Sequence, residues 1–524
     1  MDQIKIFDTT LRDGAQGAGV SFSAQDKLKI ATALDDFGIS YIEGGWPGSN
    51  PKDEEFFKLA KKKLKNSKLV AFTSTRKPKT KVKEDNSIKK VISSGVKTVT
   101  VFGKSWDLHV KYALKTTNQE NLKMIFDTVS FFKLKKFEVI YDAEHYFDGY
   151  IHNKNYAVET IRQAVRAGAD YICLCETNGG VLPEYIEKIV KETIKEFPNV
   201  KFGIHAHNDC ECAVANSIIA VRAGCKMVQG TINGMGERCG NANLCSIIPS
   251  LQLKGKYHCV PVRNLKKITE LSRYVDEIAN LVPVPSMAYV GSAAFAHKAG
   301  VHVSAVEKKS QTYEHINPKH VGNERRILVS DLSGKSNIVS KADELAINLE
   351  KEKNLHGIIN IVKEKENEGY QYEDADGSLF ILTKKIENKY KDFFILKSYR
   401  VSVEKNADGS IVSEATVKLD VNGKEEHTVA EGEGPVNALD KCLRKALIKF
   451  YPEIKNVLLT DFKVRVINSD ANTAAKVRVL IETKDKKQSW GTIGVSENII
   501  DACWQALSDS VEYKLLKFNN SGGK

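Results

Sequence analysis

Long apolar segments and paired cysteines are both missing from this sequence. No stretch approaches the ~20 unbroken apolar residues that cross a bilayer, and the start MDQIKIFDTT lacks the basic and apolar regions of a secretory signal. The ten cysteines include no CxxC pair, and a chain of 524 residues is not a small disulfide-stapled domain. These absences argue against a membrane protein or a secreted scaffold, and they predict a cytoplasmic protein with reduced thiols.

Several ligand-binding signatures are missing as well. The net charge of +12 comes from lysines spread over helical stretches such as KLAKKKLKNSK, which is typical of a solvated surface, so no nucleic-acid partner is predicted. No GxGxxG follows the first predicted strand, which argues against an open dinucleotide-binding sheet. No GxSxG elbow is present, so nothing suggests a covalent acyl-enzyme.

Residues 1–265 carry a repeating strand and helix pattern. Short β-branched or aromatic runs recur about every 30 residues, and the segments between them have helical periodicity. Eight such units with continuously apolar strands predict an α/β fold, a TIM (β/α)8 barrel that forms the catalytic domain. The eight runs begin at Ile4, Tyr41, Lys68, Thr98, Phe137, Tyr171, Lys201 and Met227.

The pattern changes twice after the barrel. Residues 266–391 are helical and charged, which predicts linker subdomains, the first of them reaching over the barrel mouth. Residues 392–518 return to alternating strands with turn signals at Asp408-Gly409 and Asn422-Gly423. Asn437 to Cys442 recurs weakly as Asn498 to Cys503, so two strand-strand-helix units are expected in a C-terminal α+β regulatory domain with an allosteric effector site.

Polar residues collect where the barrel strands end. In a TIM barrel the active site lies at the C-terminal ends of the strands, so one mouth is expected to hold all of them. They are Asp8, Arg12, Asp13, Glu43, Glu144, His145, Glu176, Thr177, His205, His207, Asn208, Asp209, Glu237, Arg238 and Asn241.

The HAH triplet after the seventh strand predicts a metal site. Alternation along a strand puts His205 and His207 on the same face, as two imidazole ligands require. Asp13 and the amide oxygen of Asn241 are candidates to complete the set, since strands one, seven and eight are neighbours in a closed barrel. Two nitrogen and two oxygen ligands with open water positions favour Mg²⁺ or Mn²⁺, with Zn²⁺ as the alternative.

Four motifs together resemble one enzyme family. FDTTLRDGAQ, GIHAHND, GMGERCGNANL and AFAHKAGVH are similar to the metal-dependent, acetyl-CoA-condensing synthases that make 2-isopropylmalate, homocitrate or citramalate. The resemblance runs nearly end to end, because GEGPVNALDKCLRKAL is similar to that family's regulatory domain. EGGWPGSNPKDEEFF and FDGY are most similar to the citramalate-forming members.

The resemblance implies which residues bind the metal and the 2-keto acid substrate. Asp13, His205, His207 and Asn241 match the metal ligands. Arg12 matches the arginine that holds the ketone oxygen, and Thr177 matches the residue that hydrogen-bonds the keto acid carboxylate. Asp8 has no assigned part, and we expect it to orient Arg12 or a metal-bound histidine.

The resemblance also implies residues for proton transfer. Glu144 matches the base that enolises acetyl-CoA, with His145 as a local competitor. His302 and Tyr313 match the histidine and tyrosine that the family brings from beyond the barrel to assist.

The implied reaction joins acetyl-CoA, pyruvate and water into (R)-citramalate and CoA. In the family this feeds isoleucine synthesis, with isoleucine as the expected inhibitor and a domain-exchanged homodimer as the expected assembly. Three alternatives stay open: the same chemistry on a larger keto acid, giving 2-isopropylmalate or homocitrate; a metal-dependent lyase or carboxyltransferase on the same barrel; and a non-catalytic amino-acid sensor.

Overall fold

The computed structural model describes residues 2–61, 63–330, 333–344, 352–386, 390–467 and 475–520. The chain divides into two compact units. The first comprises Met1–Phe295 and Ile316–Glu324, and the second comprises Ala296–His315 and Arg325–Lys524. Within the described residues no helix combines the length and the apolar character needed to cross a bilayer.

Eight parallel strands close into a barrel in the first unit, which confirms the predicted fold. Neighbours pair in sequence order, and β1 closes the ring against β8 through Lys5↔Met227 to Asp8↔Gly230. The strands are almost wholly buried because both faces are covered. Their bounds are β1 Lys5–Asp8, β2 Tyr41–Gly45, β3 Lys68–Ser74, β4 Thr98–Lys104, β5 Glu138–Glu144, β6 Tyr171–Glu176, β7 Phe202–Ala206 and β8 Met227–Gly230.

Helices follow the strands. The first begins with a capping box, in which Ser23 and Asp26 bond each other's backbone N–H, and ends at Gly38, whose φ of 98° favours glycine. The helices of this unit are α1 Ala24–Phe37, α2 Pro51–Ala60, α3 Asn86–Ser94, α4 Asp107–Tyr112, α5 Asn118–Leu134, α6 Tyr146–Arg166, α7 Pro183–Glu196, α8 Ala213–Ala223, α9 Leu244–Pro249, α10 Val262–Leu265 and α11 Ile268–Ala279.

The second unit begins with short strands and helices. Two short strands, Ala296–His297 and Arg326–Ile327, pair in parallel on either side of a helix. The helices that follow them contribute to an apolar cluster that also includes Ile493 and Val495. The elements are β9 Ala296–His297, α12 Gly300–Lys308, β10 Arg326–Ile327, α13 Lys335–Glu344, α14 Glu352–Glu368 and α15 Asp376–Ile386. The helical character predicted for 266–391 is therefore present, while the domain boundaries at 265 and 391 stay predictions.

The C-terminal part contains two three-stranded antiparallel sheets, each followed by a helix. The expectation of two strands per unit is wrong, because a third strand completes the sheet of each copy. Asn422 and Gly423 have positive φ and join the second and third strands of the first copy, as a two-residue hairpin requires. The elements are β11 Ile395–Lys405, β12 Ile411–Val421, β13 Lys424–Gly432, α16 Pro435–Leu447, β14 Leu458–Val466, β15 Val477–Lys484, β16 Ser489–Ser496 and α17 Ile499–Asn520.

Candidate active site

A cavity of about 450 Å³ opens at the C-terminal ends of the barrel strands. Charged residues from several loops line it together with aromatic side chains. Glu237 and Arg238 of the predicted strand-end group line it. So do six residues to which the resemblance assigns a role, namely Arg12, Asp13, Glu144, Thr177, His205 and His207. The structure therefore places these six around one space, and the roles assigned to them stay predictions.

Asp13, His205 and His207 form a compact group of metal-type donors. Their ligand atoms all lie within 4.8 Å of one another. The Nε2 atoms of the two histidines are 3.3 Å apart, and His205 Nε2 is 3.6 Å from Asp13 Oδ2. The same-face expectation for the HAH triplet is confirmed by these distances.

The electrostatics of this group fit a divalent cation. Burial lowers the pKa of His205 to about 3 and also lowers the pKa of His207, so both rings are neutral near pH 7. Burial alone would raise the pKa of Asp13, but Arg12 and the two histidines bring it below its ordinary value. An ionised carboxylate beside two neutral imidazoles whose nitrogens face each other is a donor set that a shared cation satisfies.

Asn241 reaches this group from the loop after β8. Its Nδ2 donates to Asp13 Oδ1 at 3.1 Å and to the carbonyl oxygen of Met235 at 3.0 Å. Its Oδ1 is buried with no hydrogen-bond partner among the described residues, and a metal would supply one. The loop can pass this close because Gly236, with a φ of 154°, has no side chain; a Cβ there would lie 2.2 Å from Asn241 Nδ2.

Arg12 is held by two carboxylates and one aromatic ring. Its Nε donates to Glu43 Oε2 at 2.7 Å, and its Nη1 donates to Asp13 Oδ2 at 2.8 Å. The guanidinium carbon lies 3.9 Å from the centroid of the Phe72 ring. Burial would lower the pKa of Arg12, but Glu43 and Asp13 raise it, so the charge is permanent.

Asp8 does not orient Arg12 or a histidine, so that expectation is wrong. Its two oxygens accept hydrogen bonds from the backbone N–H and the hydroxyl of Thr10, both at 2.9 Å. The Thr10 hydroxyl in turn accepts from the N–H of Ile232. Asp8 therefore joins the first loop to the segment after β8, and burial raises its pKa to about 7.

Thr177 and Glu144 line the cavity from neighbouring strands. The backbone N–H of His145 donates to Thr177 Oγ1 at 2.9 Å, which leaves the threonine hydroxyl proton to donate elsewhere. Glu144 ends β5 and forms an ion pair with Lys104 at the end of β4. His145, the competitor for the base, instead faces Asp148, with 3.1 Å between its Nδ1 and the carboxylate.

His302 and Tyr313 belong to the second unit. Their ring centroids are 4.1 Å apart and both side chains are exposed. Next to Tyr313, the carboxylate of Glu314 is buried and accepts two hydrogen bonds from Arg325, at 2.6 and 2.7 Å. The structure thus pairs the two residues, and their cover over the barrel mouth stays a prediction.

A second donor group in the barrel is less suited to a metal. Asp142, Cys173 and Cys175 also lie within 4.8 Å of one another. Burial raises the pKa of Cys175 to about 11 and that of Cys173 well above its ordinary value, so both are neutral thiols near pH 7.

Sequence reasoning missed the partners that hold the site residues. It places Glu43 at the mouth without its link to Arg12. The sequence also assigns no role to Gln229, whose Oε1 lies 3.0 Å from His205 Nδ1, or to Lys104, which pairs with Glu144. The sequence offers only a weak signal for either residue. Lys104 lies near the end of the predicted fourth strand, and Gln229 is a polar residue within the apolar eighth strand.

Family models match most of the chain. The HMGL-like model matches residues 3–275, the "Homocitrate synthase post-HMGL domain-like" model matches 289–369, and the LeuA allosteric (dimerisation) domain model matches 373–515. The first of these covers the barrel, and the last covers both C-terminal sheets.

Curated relatives extend over the full length. A protein described as (R)-citramalate synthase from Aquifex aeolicus is 56% identical over 525 residues, covering 99% of each chain. Another with that description, from Geobacter sulfurreducens, is 53% identical over 99% of this chain and 98% of its own. The chain belongs to the (R)-citramalate synthase family. It is accordingly an enzyme, an acyltransferase built on a TIM barrel with a LeuA allosteric domain.

More distant relatives place this family among related synthases. A 2-isopropylmalate synthase from Methanocaldococcus jannaschii is 31% identical over 98% of this chain and 95% of its own. This 2-isopropylmalate synthase therefore aligns with the chain over almost its full length, and overall similarity alone does not identify the reacting keto acid.

Proposed function

We propose that the chain condenses acetyl-CoA with pyruvate and water to give (R)-citramalate and CoA. The convergence of Arg12, Asp13, Glu144, Thr177 and the two histidines on one cavity carries this proposal. Relatives described as (R)-citramalate synthases at 45–56% identity support it.

A divalent metal fits the donor set described above. Asp13, His205 and His207 would hold it, with Asn241 Oδ1 as a further ligand. Oxygen-rich substrates and open positions favour Mg²⁺ or Mn²⁺ over Zn²⁺. Bound there, the ion would supply Lewis-acid polarisation of the keto acid oxygens.

Arg12 stabilises the charge that develops on the ketone oxygen. Two of its donor nitrogens are engaged with Glu43 and Asp13, so the guanidinium is fixed before the substrate arrives. Such preorganised donors need no rearrangement when the carbonyl becomes an alkoxide. Thr177, with its Oγ1 already accepting from His145, donates its proton to the keto acid carboxylate.

Glu144 takes a proton from the acetyl methyl group. The enolate carbon attacks the keto carbon, the ketone oxygen gains a proton, and water then hydrolyses the thioester and releases CoA as the thiol. Lys104 keeps the Glu144 carboxylate placed at the strand end. We also propose that His302 and Tyr313, whose rings lie 4.1 Å apart, assist the proton transfers.

The walls of the cavity favour a small keto acid. Phe72 and Phe102 stack with centroids 5.0 Å apart, and Trp46 packs edge-on against both at 5.8 and 5.7 Å. We propose that these bulky side chains exclude a branched substituent from the part of the cavity that they line. This supports pyruvate over the larger substrates of 2-isopropylmalate or homocitrate synthases, which remain the alternative.

Regulation and assembly belong to the same proposal. The LeuA allosteric (dimerisation) model over residues 373–515 supports a homodimer and an amino-acid effector, for which we propose isoleucine, the end product of the pathway that citramalate would feed.

The proposal is tested by incubating the full chain with acetyl-CoA, pyruvate and Mn²⁺ and identifying the product by chiral chromatography. We expect (R)-citramalate and one thiol per product from the unmodified chain, and neither from Asp13→Ala or His205→Ala. Full turnover by these variants would contradict the metal mechanism. Cleavage of a hydroxyacyl-CoA without net synthesis would instead indicate a lyase.

A further inference from the structure

Three buried side chains form a hydrogen-bonded row across the barrel interior. His205 Nδ1 lies 3.0 Å from Gln229 Oε1, and Gln229 Nε2 donates to Asp142 Oδ1 at 2.9 Å. The three residues come from β7, β8 and β5, and the register that pairs His205 with Gln229 puts their side chains next to each other. All three are at most 5% exposed, so water does not compete for these bonds.

The row fixes which nitrogen of His205 carries the proton. Asp142 Oδ1 accepts the hydrogen bond, so the amide of Gln229 turns its NH₂ group towards it. The amide oxygen then faces His205 and can only accept, which places the imidazole proton on Nδ1. The lone pair is left on Nε2, the atom that faces His207 at 3.3 Å and Asp13 at 3.6 Å.

His207 has no comparable support. Its Nδ1 is buried and makes no hydrogen bond with any residue that the structure describes. Of the two imidazole rings, His205 is therefore the one whose orientation is fixed by a side-chain hydrogen bond at Nδ1. In metalloproteins the group that accepts the second N–H of a ligand histidine typically contributes 10- to 100-fold to metal affinity.

We propose that Gln229 is a positioning residue of the divalent-metal site, which acts by holding His205 as the Nδ1–H tautomer with Nε2 directed at the metal. Asp142 sets the orientation of Gln229. The inference rests on the metal site of the proposed function and adds to it two residues, Gln229 and Asp142, that act through His205.

The test measures Mn²⁺ affinity of the full chain, without substrates, from the free-ion signal in electron paramagnetic resonance. Gln229→Met keeps the length of the side chain but removes the acceptor, and we expect its Kd to rise by about 10- to 100-fold. The double variant Gln229→Glu with Asp142→Asn reverses donor and acceptor between these two positions and still offers His205 an acceptor. We expect its Kd to stay within about threefold of the unmodified chain.

Thr100→Val is the matched control. Thr100 is a fully buried polar residue of β4 whose hydroxyl makes no hydrogen bond in the described part of the chain, and valine has the same shape. We expect an unchanged Kd. A similar rise in Thr100→Val, or a rise in the double variant equal to that of Gln229→Met, would mean general damage to the barrel and would overturn the inference.

The variant His205→Ala tests the metal site separately from the positioning role of Gln229. If His205→Ala loses Mn²⁺ binding while Gln229→Met binds as the unmodified chain does, Gln229 has no positioning role and the metal site stands. If His205→Ala also binds Mn²⁺ normally, the metal site of the proposed function is wrong, and the role of Gln229 is wrong with it. The Co²⁺ absorption spectrum of each variant provides a second readout of the ligand geometry.

Discussion

Arg12 is held in place by its neighbours on several sides. Its charge is balanced by Glu43 and Asp13, and its flat face rests on Phe72, so rotation of the side chain would break several contacts at once. A guanidinium offers several donors in one plane, whereas an ammonium group is a compact charge on a flexible chain. At position 12, an arginine side chain is therefore not interchangeable with a lysine of the same charge.

We predict that Arg12→Lys lowers kcat by about 10²- to 10³-fold, the range seen when one donor to a developing oxyanion is removed. Thiol release from acetyl-CoA with saturating pyruvate measures this. Arg162→Lys is the control, since Arg162 is a partly exposed residue of α6 that pairs with Glu159 and Glu196. Equal rates for Arg12→Lys and the unmodified chain would contradict the role of Arg12.

Asp8 predicts a pH dependence of stability. Burial raises its pKa from 3.8 to about 7, so the folded state binds a proton more tightly than the unfolded state does. Its contribution to stability is thus greatest below pH 4 and falls as the pH rises to 7, by at most about 4 kcal/mol. Asp8→Asn removes this dependence.

We therefore expect the melting temperature of Asp8→Asn, relative to that of the unmodified chain, to increase between pH 4 and pH 7 and to level off above pH 8. Calorimetry of both proteins over this range is the measurement. A difference that is constant with pH would show that Asp8 is not protonated in the fold.

The loop after β8 brings Asn241 into contact with the metal-type donor group at the barrel mouth. It carries Asn241 to Asp13, and its backbone pairs with the segment after β7, where the N–H of Asn208 donates to the carbonyl oxygen of Gly240. The path needs glycine at two positions: a Cβ on Gly240 would lie 1.9 Å from the carbonyl oxygen of Gly234, and Gly236 has the same restriction against Asn241.

We predict that Gly236→Ala displaces Asn241 and lowers kcat/KM for pyruvate at least tenfold, with a melting temperature a few degrees lower. Gly180→Ala is the control, because Gly180 lies in the loop after β6, where an added Cβ would have no heavy atom within 4 Å. Wild-type kinetics in Gly236→Ala would mean that the loop is not part of the site.

At this scale the sequence predicts much of what the structure contains. The apolar runs predict the eight strands, and strand alternation predicts that His205 and His207 lie on the same face. The row from His205 through Gln229 to Asp142 could not be predicted, since it joins three strands whose relative register is set only when the barrel closes. The partner of Asp8 could not be predicted for a related reason: a nearby threonine satisfies the carboxylate before any distant charge can.

At the scale of the whole molecule, a barrel and an allosteric domain are joined in one chain. An effector that binds the two conformations of such a protein unequally changes the reaction by coupling, whatever the distance. We predict that isoleucine lowers the rate of CoA release by about fivefold or more, with lysine as a control amino acid. Unchanged rates at saturating isoleucine would exclude isoleucine as the effector.

Condensation of acetyl-CoA with pyruvate is the reaction that we propose for the barrel cavity. The most direct test compares kcat/KM for thiol release with pyruvate, 2-oxobutanoate, 2-oxoisovalerate and 2-oxoglutarate under one set of conditions. The aromatic walls formed by Trp46, Phe72 and Phe102 predict the highest value for pyruvate, since each added methylene that does not fit lowers it by about 10-fold or more. A higher kcat/KM with 2-oxoisovalerate or 2-oxoglutarate than with pyruvate would contradict the account.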